Sequence, residues 1–209
     1  MLLNSLSLSG EAGNQRLRPN KSSNRTTDAL VSPITPQQLA DFLSIDYNAA
    51  DADLYNGFLL AACDACIKYT NTELLQRTYT FKSDRYPERQ EGYGGVGIMY
   101  AYRSWWINLP VYPVISVTSV EVDGTTADEP SIDLDSIPAR VEPKEMGAIE
   151  IVYEAGHATA DAINPQLLLG VKMLAAYLYE HRGMCDVTDA VKASGAATLW
   201  DSAKVMVTL

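Results

Sequence analysis

Two pairs of cysteine and histidine residues have spacings that are found in metal sites. Cys63-x-x-Cys66 and His181-x-x-x-Cys185 together contain four ligands that zinc would accept. The two pairs lie about 115 residues apart, whereas the halves of a structural zinc site commonly lie roughly 12–20 residues apart. Cys63 and Cys66 also fall among alanines in a helical pattern, where a free cysteine packs like a small apolar residue. We therefore predict core packing for these cysteines and no metal or other cofactor.

A glycine-rich segment matches the dinucleotide-binding fingerprint in its letters. Gly92-Tyr93-Gly94-Gly95-Val96-Gly97 has the form G-x-G-x-x-G. That fingerprint works between a parallel strand and a helix whose N-terminus receives the pyrophosphate. Here a polar segment precedes the glycines and a strand-like alternation follows them, so we interpret the segment as the tip of a hairpin.

Acid–base and nucleophilic catalysis find little support. The chain has two histidines. His157 follows a glycine in a predicted loop, His181 lies at a helix end, and no serine stands near either in a nucleophile-elbow pattern. Acidic residues of the middle of the chain are spread over loops without EF-hand spacing: Asp123, Asp128, Glu129, Asp133 and Asp135. We predict that the protein is not an enzyme.

Aromatic residues stand where a small core does not need them, which is typical of contact surfaces. Trp105 and Trp106 are adjacent on a predicted strand and point to opposite faces, so one of them is left to cover something else. Trp200 lies in a C-terminal segment that nothing in the sequence holds in place. The tyrosines around the predicted hairpin are Tyr86, Tyr93, Tyr100 and Tyr102.

Charge separates a basic beginning from an acidic remainder. The 209 residues carry a formal net charge of −10 with a pI near 4.6, so the whole molecule should not attract DNA or anionic lipid. Residues 1–30 have a net charge of +2 and the rest −12. The basic residues of this first part are Arg16, Arg18, Lys21 and Arg25. No apolar run reaches the roughly 18–20 residues of a membrane span, no signal peptide is expected, and three cysteines indicate a reducing cytoplasm.

Local signals place the helices and strands. Thr35 and Gln38 form a capping box around Pro36, and Asn164-Pro165 starts the strongest helix. The predicted helices are about 36–44, 53–70 and 165–182. Alternating patterns predict strands at about 75–83, 98–109, 114–122 and 148–154, with a bulge near Thr118-Ser119 and a turn at Asp123-Gly124.

These elements predict an α+β fold, mainly a helical bundle with a small antiparallel sheet. Strands 75–83 and 98–109 would form one long hairpin with its tip near 85–97. The body spans 33–183. It is preceded by a polar arm, 1–32, which has no helical or strand period and should be disordered on its own. It is followed by a C-terminal tail, 184–209.

Five segments, in order and spacing, resemble the head–tail connector (adaptor) proteins of tailed bacteriophages: ITPQQLADFLSID, ADADLYNGFLLAACDACIKYTN, WWINLPVYPVISVTSVEVDG, GAIEIVYEAGH and INPQLLLGVKMLAAYLYEHRG. The resemblance covers about residues 33–183. Its most specific parts are Ile107-Asn108-Leu109-Pro110 followed by Val117-Thr118-Ser119-Val120, and Tyr153-x-Ala155-Gly156 ahead of the proline-initiated helix. The arm and the loop 84–103 are longer than the family pattern.

The resemblance implies a structural virion protein, made in the host bacterial cytoplasm, at the head–tail junction. Members form a ring of about a dozen copies under the portal that extends the DNA channel and joins the capsid to the neck or tail. The implied partners are further copies of the chain, the portal protein, a downstream neck or tail-completion protein, and duplex DNA that passes without sequence-specific binding. No membrane is involved. The alternative is a non-viral soluble protein-binding adaptor, monomeric or dimeric.

Three sets of contact residues are expected in this role. The tail should dock on the portal through Trp200, Val205 and Met206. The hairpin should contact a neighbouring subunit or a neck protein through Tyr86, Tyr93, Tyr100 and Tyr102. The arm should contact acidic neighbouring subunits through Arg16, Arg18, Lys21 and Arg25.

Overall fold

The structure, a computed structural model, describes residues 21–25, 28–86, 106–182 and 187–206. This part of the chain contains five α-helices and two antiparallel sheets, which confirms the α+β class. In chain order the elements are β1 (Lys21–Arg25), α1 (Pro36–Leu43), α2 (Ala52–Thr70), β2 (Arg77–Tyr86), β3 (Ile107–Asn108), β4 (Val114–Val122), β5 (Thr125–Thr126), β6 (Ser131–Asp133), β7 (Arg140–Glu142), β8 (Gly147–Ala155), α3 (Pro165–Glu180), α4 (Val187–Ala193) and α5 (Ala196–Trp200).

The helix starts form as the local signals predict. The Gln38 amide donates to Thr35 Oγ1 at 3.2 Å, and the Thr35 amide donates to Gln38 Oε1 at 3.0 Å, which completes the capping box. At α3, Asn164 Oδ1 accepts from the Gln166 amide at 2.9 Å. The bonds from the Gln38 and Gln166 amides satisfy donors that the first helical turn leaves without a partner.

The helices pack around one core of small and aliphatic side chains. Cys63 and Cys66 are fully buried free thiols in this core, as core packing requires. Burial raises the pKa of Cys63 to about 11 and also raises that of Cys66. No cluster of potential metal ligands occurs in the described ranges, and Cys185 lies outside them. No helix in these ranges is both long and apolar enough to cross a bilayer.

The strands build a second core of their own. One sheet has the order β1-β2-β8-β4-β5 and the other β3-β7-β6. Apolar side chains of both sheets form one buried cluster, which includes Tyr79, Phe81, Ile107, Val141, Ile151 and Tyr153. The expectation of a mainly helical bundle carrying a small sheet is therefore too simple, because the sheet residues pack against a second sheet.

The predicted long hairpin is not formed by the described strands. β2 lies between β1 and β8, while Ile107 and Asn108 pair with Val141 and Arg140 of β7 in the other sheet. Residues 98–105 lie outside the description. Alternation of apolar residues fixes which face of a strand is buried, but it does not fix which strand lies beside it. The local sequence pattern therefore could not predict that Ile107 and Asn108 pair with β7.

Strand details at the two edges of the larger sheet were partly predictable. The β4–β8 register shifts between Val117 and Ser119, where the bulge was predicted, and Asp123 and Gly124 form the turn with φ values of 49° and 78°. By contrast, β1 belongs to the arm for which no strand was predicted. Its polar sequence has no period, and backbone pairing with β2 alone places it at the sheet edge.

Candidate interaction surfaces

A short segment, residues 70–77, joins the helical core to the sheets, and we call it the junction. The Glu73 amide donates to the Tyr112 carbonyl at 2.7 Å, and Leu75 forms a bridge with His157. His157 Nδ1 lies 3.2 Å from the Leu74 carbonyl oxygen, which gives this histidine a structural contact with the junction. The junction is thus held on both sides by loops that flank the larger sheet.

A buried charge pair lies within the junction. Glu73 and Arg77 are 1% and 6% exposed, and Arg77 Nη1 lies 3.7 Å from Glu73 Oε2. The Tyr79 hydroxyl donates to the same carboxylate oxygen, and the Leu74 amide donates to Oε1 at 3.2 Å. A buried carboxylate requires such partners. Sequence reasoning missed this pair, because an i,i+4 spacing brings side chains together in a helix and residues 73–77 lie beyond the end of α2.

A groove of about 470 Å³ runs beside the junction. It is lined by Asp64, Ile67, Lys68, Asn71, Tyr79, Pro110 and Val111. Its two charged residues pair with each other, with Lys68 Nζ 2.6 Å from Asp64 Oδ2. The charges that could orient a small substrate are therefore engaged with one another.

Trp200 is a core residue of this protein. Its side chain is fully buried, Nε1 donates to the Leu167 carbonyl at 3.3 Å, and its ring lies 5.9 Å from that of Tyr69. A Cβ atom at Gly170 would clash with the indole nitrogen, so glycine makes room for the ring. The expectation of a tail that nothing holds in place is therefore wrong for residues 187–206. Trp200 holds the tail on α3 in this conformation and does not present its ring to a partner.

The end of the tail is tied to the end of α2. The Val205 amide donates to the Thr70 carbonyl at 2.9 Å, and Asn71 Nδ2 donates to the Val205 carbonyl at 2.9 Å. The Tyr69 hydroxyl donates to Asp201 Oδ1 at 2.6 Å, and this hydrogen bond raises the pKa of Tyr69. Of the three predicted docking residues, Val205 is buried and only Met206, at 85% exposure, is open to a partner.

The other two predicted contact sets are largely outside the described residues. Tyr93, Tyr100, Tyr102, Arg16 and Arg18 are not described. The backbone of the remaining three residues is placed, at the end of β2 and in β1: Tyr86, Lys21 and Arg25. Their contacts remain predictions.

The outward face of the larger sheet is polar and mainly acidic. Glu121 and Glu150 are directly opposite each other on β4 and β8, and Lys82 Nζ lies 2.8 Å from Glu150 Oε2. Glu154 accepts from Gln76 Nε2 at 3.1 Å. We call this surface the polar sheet face. Its glutamates Glu121, Glu150 and Glu154 outnumber Lys82 and give it a negative charge.

A second surface combines apolar and acidic side chains around β6. We call it the acidic edge; its exposed residues are Asp128, Glu129, Ile132, Leu134, Asp135 and Ile137. Asp133 fixes the turn that follows β6, because it accepts from Ser136 Oγ at 2.7 Å and from Arg140 Nε at 2.8 Å. The hydrogen bond from Ser136 has the largest effect in lowering the pKa of Asp133, and the bond from Arg140 lowers it further. The Arg140 guanidinium in turn lies 4.7 Å from the centre of the Trp106 ring.

No protein-family model matches the chain, and no curated protein sequence matches it. Its fold is similar to that of single chains from three solved assemblies. Each match covers 90% of this chain and 97% of the chain it is compared with. One is the neck of an empty GTA particle computed with C6 symmetry, with a TM-score of 0.63 and 20% identity. Another is the virion of a native gene transfer agent (GTA) particle, at 0.62 and 21%. The third is the neck of a native GTA particle computed with C12 symmetry, at 0.60 and 21%.

Proposed function

We propose that this protein is a structural, non-enzymatic subunit of the neck of a phage or phage-like virion. Its copies form a ring of about a dozen under the portal, extend the DNA channel, and join the head to the next neck or tail protein. The observation that supports this most is the fold shared over nine-tenths of the chain with chains from GTA necks and a GTA virion. The residue pattern that resembles head–tail connectors points the same way.

The charge of the chain suits a channel for DNA. A ring of about twelve copies, each of formal charge −10, would carry a total of about −120, which repels phosphate and lets the duplex slide. The polar sheet face is the described surface that best fits a channel wall, since its charged residues are mainly glutamates. We expect lumen-facing positions to be acidic or neutral, and a continuous lysine and arginine lining in the assembled ring would refute this.

Met206 is the described tail residue that we assign to the portal contact. It directly follows Val205, whose backbone is held by Thr70 and Asn71, so the exposed side chain leaves from a fixed point. Trp200 acts as the positioning residue that holds the tail on α3. Tyr86 and the tyrosines of the loop 84–103 are assigned to a neighbouring copy or the downstream neck protein.

The decisive experiment is co-sedimentation of the full chain with the portal ring of its own particle, with the copy number determined by mass. About twelve copies per portal would support the proposal. The absence of association at low and moderate salt would contradict portal binding and favour another ring of the neck or a soluble adaptor.

A point substitution tests the tail contact without removing the buried tryptophan. Met206→Asp should weaken portal binding at least about tenfold, because burying a methionine side chain contributes about 1.5–3 kcal/mol. Met146→Asp is the matched control, since Met146 is 74% exposed in the loop before β8. Equal effects of the two substitutions would contradict the assignment of Met206.

A further inference from the structure

The acidic edge has the properties of a contact surface that is fixed before its partner arrives. Ile132, Leu134 and Ile137 are 45%, 38% and 66% exposed, so three aliphatic side chains within six residues face water. The hydrogen bonds that Asp133 accepts from Ser136 and Arg140 hold the turn that presents them. Grouped exposed aliphatic residues of this kind mark sites of protein contact.

The backbone of the acidic edge is also open. In the described part of the chain, β6 pairs with β7 and has no strand on its other side. A sheet edge of this kind can accept an extended segment through backbone hydrogen bonds. Along β6 and beyond, Ile132 and Leu134 alternate with Asp133 and Asp135, so apolar and acidic side chains are interleaved.

We propose that the acidic edge of one copy binds the basic segment Arg16-Leu17-Arg18 of a neighbouring copy. The inference rests on the proposed function, because it takes the copies to be neighbours in a ring. Charge complementarity favours this segment, because it has a leucine between two arginines. Residues 31–209, by contrast, carry a net charge of −12. Leu17 meets the exposed aliphatic residues while the arginines meet Asp128 and Asp135.

The sheet register favours a neighbouring copy over the same copy. Lys21, Ser83, Ile149, Val122 and Thr125 form one row across the larger sheet, from β1 at one edge to β5 at the other. That row has four strand spacings and therefore spans about 19 Å. Asp128, the first residue of the acidic edge, follows Thr125 of β5 by three residues in the chain.

Pairing of Lys21 with Ser83 limits how far Arg18 can lie from the β1 edge. Arg18 precedes Lys21 by three residues, which in a fully extended chain is about 10 Å, roughly half the width of the sheet. A contact between the basic segment of one copy and the acidic edge of the next would join two different patches. Such a head-to-tail contact closes into a ring when the rotation between copies allows it.

A cross-linking experiment on the full chain tests the contact directly. A photoreactive residue replaces Leu17, ¹⁵N-labelled and unlabelled copies are mixed, and the sample is irradiated both alone at high concentration and on the portal ring. The inference predicts links between labelled and unlabelled chains that map to residues 128–137. Links that stay within one copy, links that map elsewhere, or no links between copies would each overturn it.

Charge reversal provides the specific control. Asp128→Lys with Asp135→Lys should lower the yield of this link about tenfold at low salt, and adding Arg16→Glu with Arg18→Glu should restore it. Asp46→Lys with Asp161→Lys makes the same change in charge at exposed positions elsewhere and should leave the yield unchanged. Equal losses in both double variants, or no restoration, would overturn the pairing.

Different results would refute the neck function and the contact between the arm and the acidic edge. Copies that co-sediment with the portal but cross-link elsewhere would leave the neck function standing and refute the arm contact. Copies that form the predicted link but do not bind a portal would retain the arm contact and refute the portal-bound ring.

Discussion

Replacing Gly170 with alanine should destabilise this protein, although alanine is the better helix former. In the middle of a helix, glycine to alanine ordinarily stabilises by about 1 kcal/mol. At Gly170 the added Cβ would clash with three atoms of the Trp200 indole, Nε1, Cδ1 and Cε2. Overpacking of this kind costs about 1–3 kcal/mol, and displacing the ring weakens the hydrogen bond to Leu167, which contributes about 1 kcal/mol.

The sum of these effects predicts a net loss of about 2 kcal/mol in the free energy of unfolding for Gly170→Ala. Gly57 is the matched control, because it lies in α2 and a Cβ there would have no atom within 4 Å. Gly57→Ala should therefore stabilise the chain by about 1 kcal/mol. Urea unfolding followed by far-ultraviolet circular dichroism measures both without relying on the fluorescence of Trp200.

A double-mutant cycle identifies the clash as the cause. In a Trp200→Phe background the ring lacks the indole nitrogen and its five-membered ring, so the loss caused by Gly170→Ala should fall by about 1 kcal/mol or more. If Gly170→Ala stabilises the chain as much as Gly57→Ala does, Trp200 does not pack against Gly170 of α3.

Three further predictions concern buried and charged groups. Glu73→Gln leaves the Arg77 charge buried without its counter-charge and should cost about 3–5 kcal/mol in urea unfolding. Glu150 is half-exposed on the sheet surface, so Glu150→Gln should change stability by less than about 0.5 kcal/mol, and similar losses in the two variants would contradict a buried pair. Because the folded-state pKa of Asp133 is lowered, its stabilisation is present above the unfolded pKa of about 3.9 and is lost as the pH falls through the folded value. The difference in unfolding midpoint between Asp133→Asn and the unsubstituted chain should thus be larger at neutral pH than at about pH 3, and a constant difference would rule out this titration. With a pKa of about 11 and full burial, Cys63 should resist alkylation at pH 8 until urea unfolds the chain, as peptide mass mapping would show.

Features that depend on a few consecutive residues were predictable from the sequence. The capping box of Thr35 and Gln38 and the Asn164-Pro165 start need only the chemistry of one helical turn. The β4 bulge appears as a slip in the apolar alternation near Thr118. The burial of Cys63 follows in the same way from the small residues around it.

Features that depend on distant parts of the chain were not predictable in this way. Ile107 alternates as any half-buried strand residue does, and its partner Val141 is known only from the folded sheet. Trp200 looked available for a partner because the space that receives it is provided by Gly170, thirty positions earlier in the chain. An isolated glycine inside the apolar pattern of α3 was the one available signal, since such a glycine commonly has a packing reason.

The same long-range contacts determine where the end of the tail lies. The Val205 backbone is bonded to Thr70 and Asn71 at the start of the junction, and the junction continues through the buried Glu73–Arg77 pair into β2. If Met206 binds the portal, these hydrogen bonds and this ion pair help to hold the segment from which its side chain leaves. Weakening the pair should therefore reduce the stability of the tail contact as well as that of the fold. Glu73→Gln should consequently weaken portal binding under conditions in which the variant remains folded, whereas Glu150→Gln, on the outward sheet face, should not.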